Sequence, residues 1–167
     1  GTTEASSISQ NLITLSNIPD ANRFKAEFVV NDWVGSDEVV NGDLSNGTAS
    51  WLALASAALS AANGALRITN VGANFGKAYQ EIATIVGGTY ELKFAGLGGT
   101  SSTSHVRVGT TAGGVQLLAN TSYLPASNTY IFTALTTTSY LAFVNDGTDE
   151  NYNEIGAISS KRILEAP

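Results

Sequence analysis

Between residues 63 and 95 the chain alternates apolar and polar side chains three times in succession, each time over the length of one strand. In 65–69, Leu66 and Ile68 oppose Arg67. In 79–86, Gln80, Ile82 and Thr84 oppose Tyr79, Glu81, Ala83 and Ile85. In 89–95, Tyr90, Leu92 and Phe94 oppose Thr89, Glu91 and Lys93. A period of two buries one face of a strand and wets the other, as in an antiparallel sheet. Asn63-Gly64, Gly72, Gly76 and Gly87-Gly88 separate the runs, and glycine lets the chain reverse there without a steric penalty.

The same alternation recurs along the chain. Residues 23–30 read as a strand with Phe24, Ala26, Phe28 and Val30 on one face, and 38–44 as a short strand entering a turn. The run 51–62 is ambiguous: its Ala and Leu content favours helix. Turns flank it and Leu52 and Leu54 alternate with Ala53 and Ala55, so we read strand. In 105–108 the valines point inward and His105 and Arg107 outward. Further strands are expected at 115–118, 128–135, 139–145, 152–158 and 161–164, with 139–145 the most apolar and central. Residues 97–102 read as a flexible loop and 145–151 as an acidic one. Nine or ten short strands without a convincing helix or an internal repeat imply an all-β fold, an antiparallel β-sandwich. The expected core is Leu66, Ile68, Ile82, Tyr90, Leu92, Phe94, Val106, Val108, Tyr130, Phe132 and Ile155.

Composition removes several functions. The chain has 167 residues, enough for one domain with a real core, and a net charge of −6. That sign repels phosphate backbones, so nucleic acid is not an expected partner. No run is apolar and long enough for a membrane span. Without Cys there is no disulfide and no thiol nucleophile or ligand, and the one His, His105, has no Ser or Asp at a telling spacing. Asp146, Asp149 and Glu150 read as a solvated turn rather than a hydrolytic pair, so no enzyme is expected. The absence of Met and the Gly1-Thr2 start suggest an excised fragment. Half of the 14 acidic residues precede residue 45, and Ile8, Leu12, Ile13 and Leu15 follow no clean period. We therefore read 1–36 as an N-terminal arm or the end of a preceding shaft domain, with 33–36 leading into a linker, and 37–167 as the sandwich. The scattered apolar residues of the arm and the Ala-rich stretch 52–62 suggest subunit contacts, in a homotrimer.

From about residue 40 to 164 the chain resembles the jelly-roll carbohydrate-binding modules of the family 4/9/16/22 type, as found at the C-terminus of phage tail fibres and tailspikes. Asn41-Gly42-Asp43-Leu44 is similar to the opening NGDFE, Trp51 falls near the family's GW position, and Asn63-Gly64-Ala65-Leu66-Arg67-Ile68 resembles nGaLri. Gln80 before Ile82 resembles sQtv, Gly88-Thr89-Tyr90-Glu91-Leu92-Lys93-Phe94 resembles GktYtlsF, and Ile155 sits in the closing FDDVSL strand. The segment 106–114 is similar to one seen in modules that end phage tail fibres. Ser45 replaces the carboxylate of NGDFE, and the closing segment reads Asn153-Glu154-Ile155-Gly156.

The resemblance implies a structural calcium between the opening and closing segments, with Asp43, Glu154 and the Asn41 carbonyl as ligands; the alternative is that both acids are ordinary surface residues. It also implies binding of a polysaccharide or cell-surface glycan. Sugars need aromatic platforms and amide, carboxylate or guanidinium partners for their hydroxyls. Trp33, Trp51, Tyr79, Tyr123, Tyr140 and Tyr152 are available, with Tyr79 the preferred platform. Trp51 and Tyr152 are further candidates, although Trp51 equally fits packing at the sandwich edge. His105 and Arg107 share an outward face and either contact the sugar or only solubilise the sheet. Asp149, in the loop 146–150, borders the site or holds a cation. The leading expectation is a non-catalytic receptor-binding domain of the virion tail. The alternatives are an ancillary module of a secreted bacterial glycoside hydrolase and a purely structural trimerisation cap.

Overall fold

The structure, a computed structural model, describes residues 34–164 apart from 73 and 102. The strand expected at 23–30, Trp33 and the apolar residues of the arm lie outside the described residues. In chain order the strands are β1 (Val34–Asp37), β2 (Leu52–Leu54), β3 (Ala57–Ala62), β4 (Ala65–Asn70), β5 (Gly76–Ala83), β6 (Thr89–Gly99), β7 (Ser104–Gly109), β8 (Leu118–Ser122), β9 (Ser127–Thr133), β10 (Thr138–Asn145) and β11 (Tyr152–Ile163). All pair antiparallel, and no helix occurs among the described residues.

Two sheets form a jelly-roll β-sandwich. One has the order β3-β4-β11-β6-β9, with β1 added to β11, and the other the order β2-β5-β10-β7-β8. Each alternating run sends its apolar residues between the sheets. Leu66, Ile68, Leu92, Val106, Val108, Leu141, Phe143 and Ile155 have no exposed surface. Phe143 packs edge-on to Phe94 at 4.8 Å between ring centres, and Tyr90 stacks on Phe132 at 5.4 Å. Ten of the eleven residues expected in the core are buried. Tyr130 is the exception: β9 is an edge strand, so its ring is half-buried, and its hydroxyl donates to the Ser122 carbonyl at 3.1 Å.

Buried amides stitch the layers together. Gln80, 3% exposed, accepts from the Val40 N–H and donates to the Val40 carbonyl, both at 2.8 Å. It thereby ties the 38–51 segment to β5 as a backbone strand would. Asn145 donates across the sandwich to the Ile68 carbonyl at 2.9 Å.

Several elements differ from expectation. Residues 38–44 are not a strand. Asn41 and Leu44 take positive φ, and the chain makes successive turns up to Trp51. Gly42 sits in this loop because a β-carbon there would collide with the Ile158 carbonyl, and its own carbonyl accepts the Ile158 N–H at 2.9 Å. Residues 34–36, read as leading into a linker, belong to β1, which pairs with the end of β11. The run 51–62 is two strands in different sheets, split where Ala55 and Ser56 both take positive φ. The loop expected at 97–102 begins later, because β6 continues to Gly99 against Asn153. Residues 115–117 are loop, closed where Gln116 Oε1 accepts the Thr110 N–H at 3.2 Å, and the strand starts at Leu118. The strands expected at 152–158 and 161–164 are one strand, β11, irregular between Gly156 and Ser159.

Candidate functional site

The outer face of the five-stranded sheet is set by three registers. Tyr79 on β5 lies opposite Leu52 on β2 and Ala142 on β10, and Ala142 lies opposite Arg107 on β7. One step along, Leu54, Lys77, Val144, His105 and Ser122 make a parallel row. One step the other way, Glu81 faces Tyr140. Ala142 and Val144 point outward with Tyr140 yet have no exposed surface. The face is thus presented by Tyr79 on β5 and Tyr140 on β10, with Arg107 and His105 on β7 across β10 from Tyr79.

The aromatic part is a pair. The Tyr79 and Tyr140 rings are 6.3 Å apart and inclined by 42°. The Glu81 carboxylate beside Tyr140 holds its phenol above the usual tyrosine range, with burial and the Tyr79 phenol group adding to the effect. Such a pair offers apolar faces beside a carboxylate and a hydroxyl, the groups that recognise a sugar's apolar face and its hydroxyls.

The polar part is held by its own bonds. Arg107 donates through Nε and a terminal nitrogen to Asn120 Oδ1 at 3.1 and 2.7 Å, and through the other terminal nitrogen to the Gly113 carbonyl at 3.2 Å. His105 Nδ1 lies 2.5 Å from Asp146 Oδ2, and its Nε2 bonds to Ser122 Oγ at 2.9 Å. The imidazole and the guanidinium are thus both oriented. The 110–117 loop folds over this end of the face: a β-carbon at Gly113 would meet Leu54 Cδ2 at 2.8 Å.

The structure brings Tyr79, His105 and Arg107 to one face, with β10 between their strands rather than adjacent to one another. It separates the other candidates. Trp51 is only 4% exposed, tilted against Phe143 at 5.9 Å, with its indole N–H donating to the Asn41 carbonyl at 3.3 Å. It has no face to offer a sugar and is core. Tyr152 lies on the opposite layer, where the Arg67 guanidinium sits 3.9 Å over its ring. Asp149 accepts the Gly72 N–H at 2.5 Å and so serves the β4–β5 loop, whereas Asp146 is the loop acid that borders the face. Tyr140, one of the aromatic residues available in the sequence but not singled out there, lies beside Tyr79. Its outward position in an apolar strand was the available signal, but its neighbour Tyr79 is remote in sequence. Phe75, 53% exposed just before β5, is a second exposed aromatic near Lys77, whose ammonium donates to its carbonyl at 3.3 Å.

Each of the residues expected to hold calcium already has a protein partner. The Asn41 carbonyl accepts the Leu44 N–H and the Trp51 indole N–H, both at 3.3 Å. Asp43 accepts from the Ser45 N–H and Oγ, which holds its carboxyl below the usual range. Glu154 is paired with Arg67 at 2.7 Å on the outer face of the other sheet. No group of three or more His, Asp or Glu side chains able to hold a metal occurs among the described residues.

No protein-family model matches the chain, and no curated protein matches it. Solved structures match it in fold. A family 4 carbohydrate-binding module superposes with a TM-score of 0.53 over 74% of this chain and 99% of its own, at 13% identity. An α-L-arabinofuranosidase bound to arabinose matches with a TM-score of 0.56 over 77% of this chain, at 15% identity. The enzymatically active domain of tailspike protein 4 of bacteriophage CBA120 matches with a TM-score of 0.58 over 76% of this chain, at 12% identity. The match spans 27% and 21% of those two longer chains. The fold is that of a carbohydrate-binding-module-like jelly roll.

Proposed function

We propose that this domain binds a glycan on the outer face of its five-stranded sheet and performs no chemistry there. The observation that carries this reading is the Tyr79–Tyr140 pair, with the oriented Arg107 and His105 across β10 from Tyr79. Two inclined rings present an apolar surface for a sugar, and the fixed polar groups reach its hydroxyls without being ordered on binding. The two carboxylates on the face serve other roles, Glu81 beside Tyr140 and Asp146 on His105.

The setting we favour is a receptor-binding domain of a phage tail fibre or tailspike, hence a virion tail. The likeness to a tailspike supports it, together with the resemblance of 106–114 to tail-fibre modules. The likeness to an arabinofuranosidase supports the ancillary module of a secreted glycoside hydrolase to the same degree. In the tail setting we expect a homotrimer, with residues 1–36 and the edge strands β2 and β3 near the contacts; trimerisation then offsets weak single sites by avidity. Light scattering on the intact chain separates trimer from monomer. The test of binding is a glycan array probed with wild type, Tyr79→Ala and Tyr140→Ala. Wild type should bind, and each variant should lose most of the signal while remaining folded. Equal binding by all three puts the site elsewhere, and no binding by wild type leaves the structural-cap reading.

A further inference from the structure

The chain carries only 8 Lys and Arg against 14 Asp and Glu, yet two of its cations converge at one place on the candidate face. Arg107 reaches the Gly113 carbonyl at 3.2 Å, and the Lys77 stem passes the same glycine, its Cδ 3.6 Å from where a β-carbon would stand. They come from β7 and β5, on either side of β10, and the Lys77 ammonium donates to the Phe75 carbonyl at 3.3 Å. Neither forms a salt bridge among the described residues. Arg107 spends its bonds on neutral acceptors, Asn120 and Gly113, and N–H donors on both terminal nitrogens remain unspent. The acid next to them, Asp146, is engaged with His105. Burial holds the Lys77 ammonium below the usual lysine range, and repulsion from Arg107 adds to this, with Asp146 opposing. Two like charges held together in a partly buried site are unfavourable alone, and an anion between them relieves that repulsion.

We propose that this face selects an anionic saccharide, one carrying a carboxylate or a sulfate, with the acid seated between Lys77 and Arg107 and the sugar ring on Tyr79 and Tyr140. The inference rests on the glycan-binding reading and adds the class of glycan. Arg107 offers a planar pair of donors to a carboxylate or sulfate, and Lys77 supplies a point charge from the other side. Tyr79 lies beside both, next to Lys77 on its own strand and across Ala142 from Arg107, so one residue of a polysaccharide spans platform and cations. A neutral sugar could use the tyrosines but would leave the paired charges uncompensated.

The experiment uses the intact chain on an array in which each uronate-, sialate- or sulfate-bearing oligosaccharide is printed beside its neutral counterpart, the uronates carboxyl-reduced and the sulfates removed. Binding is expected on acidic members, at least about tenfold weaker on the neutral counterparts, and falling as salt rises. Lys77→Gln, its fold checked by thermal unfolding, should lose about tenfold on the acidic members, and Lys77→Arg should recover much of it. Equal binding to acidic and neutral counterparts overturns the anionic inference and leaves glycan binding standing. So does an acidic preference that Lys77→Gln does not weaken. Binding to no member of either set overturns both.

Discussion

Gln80→Glu replaces one NH2 by one oxygen at a position that is 3% exposed. The native amide accepts the Val40 N–H and donates to the Val40 carbonyl, each at 2.8 Å. An ionised carboxylate keeps the first bond and sets oxygen against oxygen in the second. Burial and that repulsion both raise the folded-state pKa above the unfolded value of about 4.3. Full burial can shift a carboxyl by about 3–5 units, but Val40 is 60% exposed and admits water to the pair, so about 2 units is reasonable here. At about 1.4 kcal/mol per unit, the variant loses about 3 kcal/mol at pH 7. The sign follows from linkage. Below about 4.3 both states are protonated, the carboxylic acid donates to the Val40 carbonyl, and stability approaches wild type. As pH rises above that value the unfolded state ionises first, and stability falls until the folded carboxyl ionises near about 6. Thermal unfolding of both proteins at pH 4 and pH 7 reads this as a difference in Tm of about 6–12 °C at pH 7 that nearly closes at pH 4. An equal deficit at both pH values would refute the argument, because the loss would then not come from ionisation against the Val40 carbonyl.

Leu92→Ala removes a side chain with no exposed surface and should cost about 2–5 kcal/mol in denaturant unfolding; a loss below about 1 kcal/mol would contradict the packing described. Gly42→Ala drives a β-carbon into the Ile158 carbonyl and should cost about 1–3 kcal/mol by the same assay, with hydrogen exchange at the Ile158 amide accelerated. Chelation by EDTA should leave Tm unchanged, since the Asn41 carbonyl already accepts the Trp51 indole N–H and Glu154 is already paired with Arg67; a rise in Tm with added calcium would restore a metal at Asp43 and the Asn41 carbonyl or at Glu154.

The inward faces were legible because they are written locally. Leu66, Ile68, Leu92 and Val106 alternate with polar neighbours, and a strand obeys that alternation wherever it is placed. Gln80 belongs to the same inward set, and its bonds to the Val40 backbone explain how a polar side chain is held there. The turns were less legible. Asn41, Leu44, Ala55 and Ser56 adopt positive φ without being glycine, so residue type alone concealed the turns that end the expected strand at 38–44 and divide 51–62.

The sequence by itself determined an all-β sandwich, its inward side chains and the outward direction of Tyr79, His105 and Arg107, because each depends only on neighbours one or two residues away. Tertiary structure decided which outward residues meet. It set β10 between β5 and β7, so that Tyr140 lies beside Tyr79 and Lys77 reaches toward Arg107. It put Tyr152 on the other sheet and turned Trp51 into the core. Strand pairing joins segments tens of residues apart, and the alternation that orients a side chain is the same in every sheet order.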